Sequence, residues 1–291
     1  MIIPHLAIGN ATVYFPNDGF WWDDGGAMFG VVPKDLWAQE KPADAHNRIR
    51  MSLVCPLILA DSEVILVDTG IGNRLRGREE EIYRPERGPG LAGGLRLLGL
   101  EPEDVTIVVL SHLHFDHFGG VVDRRDADTM TAAFPRARHL IQKREWEVAM
   151  RPSNHRHAAA YRHVRECIEP LSGGLLHLLD GPTALTPSVR TVVTGGHTPT
   201  HQCVVVENGG TGLVHLADLA PTVPHLRSGW SAAYDLDPVG AGEEKARLLA
   251  EVIAKNWWVS FDHDDRVASG RLSGSERRLT ITDELPTPEP A

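Results

Sequence analysis

The sequence has little cysteine, no long apolar run and no excess of positive charge, and each shortage narrows what the chain can be. Its three cysteines, Cys55, Cys167 and Cys203, are an odd number without a CxxC spacing. That argues against a disulfide framework and for a reducing compartment. No apolar run approaches the ~18 residues of a membrane span. The opening MIIPHLAIGN lacks a basic segment followed by an apolar core, so a secretory leader is not expected. The expected location is cytoplasmic, with no membrane partner. The formal net charge is −10 with histidine neutral, which argues against a protein whose main task is gripping nucleic-acid phosphates. Internal repeats and long linkers are also missing.

What is present suffices for a large core: 291 residues, 42% hydrophobic and 23% charged. The outlier is histidine, at 15 residues. Residues 5–17 read as a short strand and a turn. Residues 22–37 are rich in glycine around Met28-Phe29, which fits either a loop approaching a site or a glycine turn with a hydrophobic plug. The runs Met51–Leu59 and Glu63–Val67, joined at Asp61-Ser62, have a hairpin pattern. Leu91, Leu95 and Leu98 share a helical face, and Val105–Leu110 is a β-branched run suited to a buried strand. Residues 143–170 have helical spacing interrupted by Pro152. Strand-like runs return at 138–141, 189–194, 203–206 and 213–216, and residues 243–258 predict an amphipathic helix. The order implies a single layered α/β domain over residues 1–278. The proline-rich, acidic residues 279–291 are expected to fray.

The chemistry is concentrated in His112-Leu113-His114-Phe115-Asp116-His117, directly after the Val105–Leu110 strand. Alternate residues of an extended segment face the same side, so His112 and His114 can reach one cation together. Asp116 and His117 follow at the turn and can serve a second, and Gly119-Gly120 lets the chain reverse. His197, Asp218 and His263 each stand where a later strand-like run gives way to a loop.

These seven residues, in this order, resemble the metallo-β-lactamase superfamily. The segments 24–37, 65–73, 111–120 and 217–226 are similar to its branch of quorum-quenching lactonases, which open N-acyl-homoserine lactones; the likeness covers roughly residues 5–268. The resemblance implies an αββα sandwich, two mixed sheets packed face to face with helices outside. It implies one metal on His112, His114 and His197, another on Asp116, His117 and His263, and Asp218 bridging them. Imidazole and carboxylate suit Zn2+, with Mn2+, Co2+ or Fe2+ as alternatives. Two such cations about 3.5–4 Å apart can lower the pKa of a shared water and polarise a carbonyl. The expected substrate is therefore a small lactone or ester, with Asp116 and Asp218 taking part in catalysis.

One departure from that branch concerns a tyrosine three residues after the bridging aspartate, which helps polarise the lactone carbonyl. Pro221 stands there instead. His225 is the expected acid–base substitute ahead of Tyr234. Met28, Phe29, Trp230 and Tyr234 are expected to contact substrate, although the apolar ones equally suit a core. Asp68 either orients the histidine loop or caps a turn. His201 and His215 are expected to make structural hydrogen bonds, and Cys203 to be a buried, inert thiol. Alternative readings are a glyoxalase II-like thioesterase, a phosphotriesterase and a mononuclear iron persulfide dioxygenase. Only about 28 residues follow His263, too few for the C-terminal helical domain of the first, and the complete ligand set argues against a one-metal site. A homodimer is compatible with the sequence.

Overall fold

Alternation of side chains along the strands divides the apolar residues among layers. The structure, a computed structural model, describes residues 2–290 apart from 125, 127, 128, 154–157, 159, 276 and 277. One mixed sheet has seven strands in the order His5–Ile8, Ala11–Tyr14, Leu57–Ala60, Glu63–Val67, Ile107–Val109, Arg138–Gln142 and Leu176–Leu179. The other has six, in the order Val189–Val193, Gln202–Asn208, Thr211–His215, Trp258–Ser260, Val267–Ser275 and Arg278–Pro286.

Ile65, Val67, Ile107 and Val109 of the first sheet pack with Val204, Val206 and Leu213 of the second, forming the layer between them. The intervening residues point the other way. Leu66 and Val108 join Leu91 and Leu95 of the helix Gly90–Leu97 outside the first sheet. Val205 and Val214 join Leu248, Leu249 and Val252 of the helix Pro238–Ala254 outside the second. The result is helix, sheet, sheet, helix, as expected.

Several local readings differ. The run Met51–Leu59 is divided, because Cys55-Pro56 interrupts the ladder. Its first half belongs to Arg48–Val54, which pairs with Asn17–Asp24 in a small separate sheet, and only Leu57–Ala60 forms the hairpin with Glu63–Val67. The glycine-rich segment 22–37 is the end of a strand followed by the helices Gly25–Phe29 and Lys34–Glu40. Residues 5–17 hold a two-stranded hairpin, His5–Ile8 with Ala11–Tyr14. Of the segment 143–170, residues 154–157 and 159 lie outside the described residues; the rest contains the helices Lys143–Met150 and Val164–Ile168.

The expected frayed tail is also corrected. Arg278–Pro286 pairs antiparallel with Val267–Ser275. Beyond it, the Thr287 hydroxyl donates to the Asp264 carbonyl at 2.6 Å and Asn17 Nδ2 donates to the Pro288 carbonyl at 2.8 Å. Strand pairing outweighs the proline content because Pro286, Pro288 and Pro290 all fall at or beyond the strand's end. Among the described residues, no helix is long and apolar enough to cross a membrane.

Candidate metal centre

Strand ends from both sheets deliver the polar residues to one edge. Ile107–Val109 runs into Leu110-Ser111, where Ser111 N donates to Asp68 Oδ1 at 2.7 Å. His112 and His114 follow in extended backbone, and the short helix Phe115–Phe118 carries Asp116 and His117. From the second sheet come His197 after Val189–Val193, Asp218 after Thr211–His215 and His263 after Trp258–Ser260. Two turns are held by positive φ at non-glycine residues, Asp68 at 57° and Ala217 at 45°. Such strain persists only where the surroundings fix it.

Four of the five histidines are anchored by one ring nitrogen and turned inward by the other. His112 Nδ1 meets Ser111 Oγ at 3.0 Å, and His117 Nδ1 meets Asp68 Oδ2 at 3.0 Å. His197 Nδ1 lies 2.7 Å from Asp235 Oδ1, and His263 Nδ1 lies 2.8 Å from the Ser52 carbonyl. These contacts fix ring orientation and leave Nε2 inward on all four.

The inward atoms fall into two groups that share Asp218. In the first, His112 Nε2 is 3.6 Å and His197 Nε2 is 2.8 Å from Asp218 Oδ2, and His197 Nε2 is 3.0 Å from His114 Nδ1. In the second, His263 Nε2 is 3.2 Å from His117 Nε2 and 3.3 Å from Asp116 Oδ2. Asp218 stands 3.5 Å from both rings. Donors bound at ~2.0–2.2 Å in tetrahedral array are about 3.3–3.6 Å apart, so this spacing fits a cation in each group. Ring nitrogens this close to one another must share a proton or a cation between them. His112 Nε2 and Asp218 Oδ1 are buried with no hydrogen-bond partner, as donors reserved for a cation would be.

The charge balance agrees. Burial works against ionising Asp218, yet the neighbouring His197 and His117 hold its carboxyl well below the usual range. Burial likewise opposes charge on His197, but Asp218 and Asp235 outweigh it and raise that ring to about 10. His112 moves the opposite way: burial and the adjacent histidines keep it neutral. The cluster therefore stabilises positive charge on some of its members, the behaviour of a site built around cations.

A cavity of about 490 Å³ opens over these groups. Its walls are mainly apolar, with Trp21, Met28, Met51, Phe115 and Leu236, and its polar groups include Asp23, Tyr161 and Tyr234. Of the residues expected to contact substrate, Met28 and Tyr234 line this cavity. Phe29 is fully buried between Trp37, at 5.3 Å, and His225, at 4.7 Å. Trp230 packs edge-on against Phe29, and Arg227 covers its ring. Phe29 and Trp230 thus belong to the core under the Gly25–Phe29 helix.

His225, expected to be the acid–base group, is 1% exposed and has both ring nitrogens engaged: Nδ1 with Thr222 Oγ1 at 2.6 Å and Nε2 with the Met28 carbonyl at 2.8 Å. It is absent from the cavity wall, because the turn Val223–Leu226 directs it inward under Phe29. Tyr234, more distant in sequence, faces the cavity and donates to Asp23 Oδ2 at 3.0 Å. His201 Nδ1 meets Thr194 Oγ1 at 2.7 Å, His215 Nδ1 meets Ser260 Oγ at 3.1 Å, and the Cys203 thiol is buried against the Leu216 carbonyl. Asp235 and Ser52 carry no sequence signal; both meet the histidines only through the fold.

The profile of the metallo-beta-lactamase superfamily matches residues 54–263. An N-acyl homoserine lactonase of Bacillus cereus is 30% identical over 182 residues, 58% of this chain and 64% of that protein. The chain thus spans under two thirds of that relative's length. An N-acyl homoserine lactonase of Bacillus thuringiensis is 27% identical over 227 residues, 74% of this chain and 82% of the relative. Among solved structures, a probable metal-dependent hydrolase from Staphylococcus aureus superposes with a TM-score of 0.84 at 28% identity, covering 96% of this chain and all of its own. AidC, a dizinc quorum-quenching lactonase in complex with a product, superposes with a TM-score of 0.77 over 96% of each chain. At 20% identity, that likeness speaks for the fold alone.

Proposed function

The chain belongs to the metallo-beta-lactamase superfamily, and from that membership we propose a metal-dependent hydrolase that opens N-acyl-homoserine lactones or closely related lactones. The observation that carries this is the convergence of five histidine nitrogens with Asp116 and Asp218 at the floor of a cavity that is apolar above. His112, His114 and His197 would hold one divalent cation, Asp116, His117 and His263 the other, and Asp218 would touch both. Zn2+ is the first choice for so imidazole-rich a set. When bound, two such cations make a water nucleophilic near neutral pH and polarise an ester carbonyl.

The chain's own groups do the rest. Asp68, Asp235, Ser111 and the Ser52 carbonyl hold the rings at fixed angles, so little reorganisation accompanies reaction. Trp21, Met28, Met51 and Phe115 exclude water from an acyl chain. Tyr234 Oη is the donor for the substrate's carbonyl or leaving oxygen, in the role first given to His225. Asp23 accepts the phenol's hydrogen bond until substrate replaces it.

Metal-loaded protein should be offered acyl-homoserine lactones, simple γ- and δ-lactones, S-lactoylglutathione and an aryl phosphotriester, with proton release followed in weak buffer. Acylated homoserine lactones should turn over fastest. Faster turnover of the thioester or the phosphotriester than of every lactone would overturn the assignment.

A further inference from the structure

Beyond the seven side chains assigned above, the fold brings an eighth, a third carboxylate, to the same centre. Asp262 precedes His263 at the end of Trp258–Ser260 and is 2% exposed. Its Oδ2 lies 3.8 Å from His263 Nε2 and 3.7 Å from His117 Nδ1. Ligand atoms of His117, Asp218, Asp262 and His263 all fall within 4.8 Å of one another.

Neighbouring carboxylates are satisfied by protein donors. Asp68 takes Ser111 N, Ser111 Oγ and His117 Nδ1. Asp264 takes the backbone N–H groups of Val223, Arg266 and Val267. Asp262 differs, since neither of its oxygens has a hydrogen-bond partner. A buried carboxylate without donors is costly unless it pairs with charge or coordinates a metal.

We infer that Asp262 is a further carboxylate donor to the cation held at His117 and His263, and that it widens the chemical difference between the two metal positions. The inference rests on the metal-binding reading above. The first position offers three imidazoles and one carboxylate. The second offers two imidazoles with Asp116, Asp218 and Asp262. Imidazole-rich sets favour Zn2+, and carboxylate-rich sets favour harder cations such as Mn2+. Zn2+ outbinds Mn2+ at most nitrogen and oxygen sites, but its advantage is smallest at the second position, which therefore admits the harder ion first when Mn2+ is in large excess.

The test is competitive loading. Full-length protein is stripped of metal, equilibrated with Zn2+ and a graded excess of Mn2+, desalted and assayed by elemental analysis and by the Mn2+ electron paramagnetic resonance signal. At intermediate excess of Mn2+, wild type should retain about one of each. Asp262→Asn and Asp262→Ala should shift towards two Zn2+, with the retained Mn2+:Zn2+ ratio falling on the order of 10-fold or more, the scale of supporting-residue effects on metal affinity. Asp262→Glu keeps the charge and should keep most of the Mn2+. Melting curves establish that each variant compared is folded. Two metals bound with the same Mn2+:Zn2+ ratio in wild type and both uncharged variants would overturn this inference and leave the hydrolase reading standing. Failure of wild type to take up any metal would overturn both.

Discussion

Asp23 and Tyr234 meet over the cavity from distant parts of the chain, and both are open to test. Burial pushes the Asp23 carboxyl up to about 7, against ~3.9 in an unfolded chain. The folded state therefore holds that proton more tightly than the unfolded state does. Its contribution to stability is fully present below about pH 4, declines as pH rises towards 7 and is level above that. Asp23→Asn removes this decline. Denaturant unfolding should show the variant gaining on wild type between pH 5 and pH 8, by on the order of a few kcal/mol; an equal difference at both pH values would refute the shift. For Tyr234→Phe, loss of one donor to developing negative charge should lower kcat on the order of 10²-fold, with metal content unchanged. His225→Ala should do the reverse. It removes a buried ring stacked on Phe29 and two hydrogen bonds, at a cost of about 2–4 kcal/mol, while kcat at saturating lactone stays at the wild-type value. A normal kcat for Tyr234→Phe beside a depressed one for His225→Ala would restore the original assignment.

Among the elements, the turn after the histidine motif is the most constrained. Thr69 N donates to the His117 carbonyl at 2.8 Å and Gly120 N to the Gly70 carbonyl at 3.1 Å, which binds Phe115–Phe118 to the turn after Glu63–Val67. A methyl group at Gly120 would overlap the Thr69 carbonyl oxygen. Gly120→Ala should therefore destabilise by about 1–3 kcal/mol, the range for overpacking, and displace Asp116 and His117. Reduced metal content in a folded variant is the expected readout, and full metal content with unchanged melting would show that the turn tolerates a side chain. The seven polar residues at this edge were legible in the sequence because each is locally marked, by the HxHxDH spacing or by a strand end. Asp235 was not, because its contact with His197 spans 38 residues. Likewise, the division at Cys55-Pro56 was hidden by an apolar run that continues through two sheets. The tail has the composition of a loop, but pairing with Val267–Ser275 supplies the ladder that composition does not reveal. Deleting residues 278–291 should accordingly leave Val267–Ser275 as an open edge and release Asn17 and Asp264. A lower melting temperature or loss of soluble protein is expected, whereas a dispensable tail would leave melting unchanged.

At the scale of the whole molecule, the cluster joins the two sheets. His112, His114, Asp116 and His117 come from the edge of the first, and His197, Asp218 and His263 from the second. Without cations, buried carboxylates and imidazoles face one another across that seam, and only protons balance their charge. The complete sets exist only in the folded chain: His112, His114, Asp116 and His117 stay close along an unfolded chain, but His197, Asp218 and His263 are far from them in sequence. Binding must then stabilise the fold by mass action, by about 4 kcal/mol for each site held at a free-metal concentration a thousandfold above its Kd. A domain of this size gains roughly 2–4 °C per kcal/mol, so one saturated site corresponds to a rise of roughly 8–16 °C. Stripping the protein with a chelator should lower the melting temperature by at least that amount, and adding Zn2+ back should restore it. His114→Ala and Asp116→Ala each disable one position and should each show a reduced response. Asp218→Ala, which loses the residue shared by both, should respond least of the three. If the stripped protein melts where the loaded protein does, no cation spans the sheets, and the hydrolytic reading fails with it.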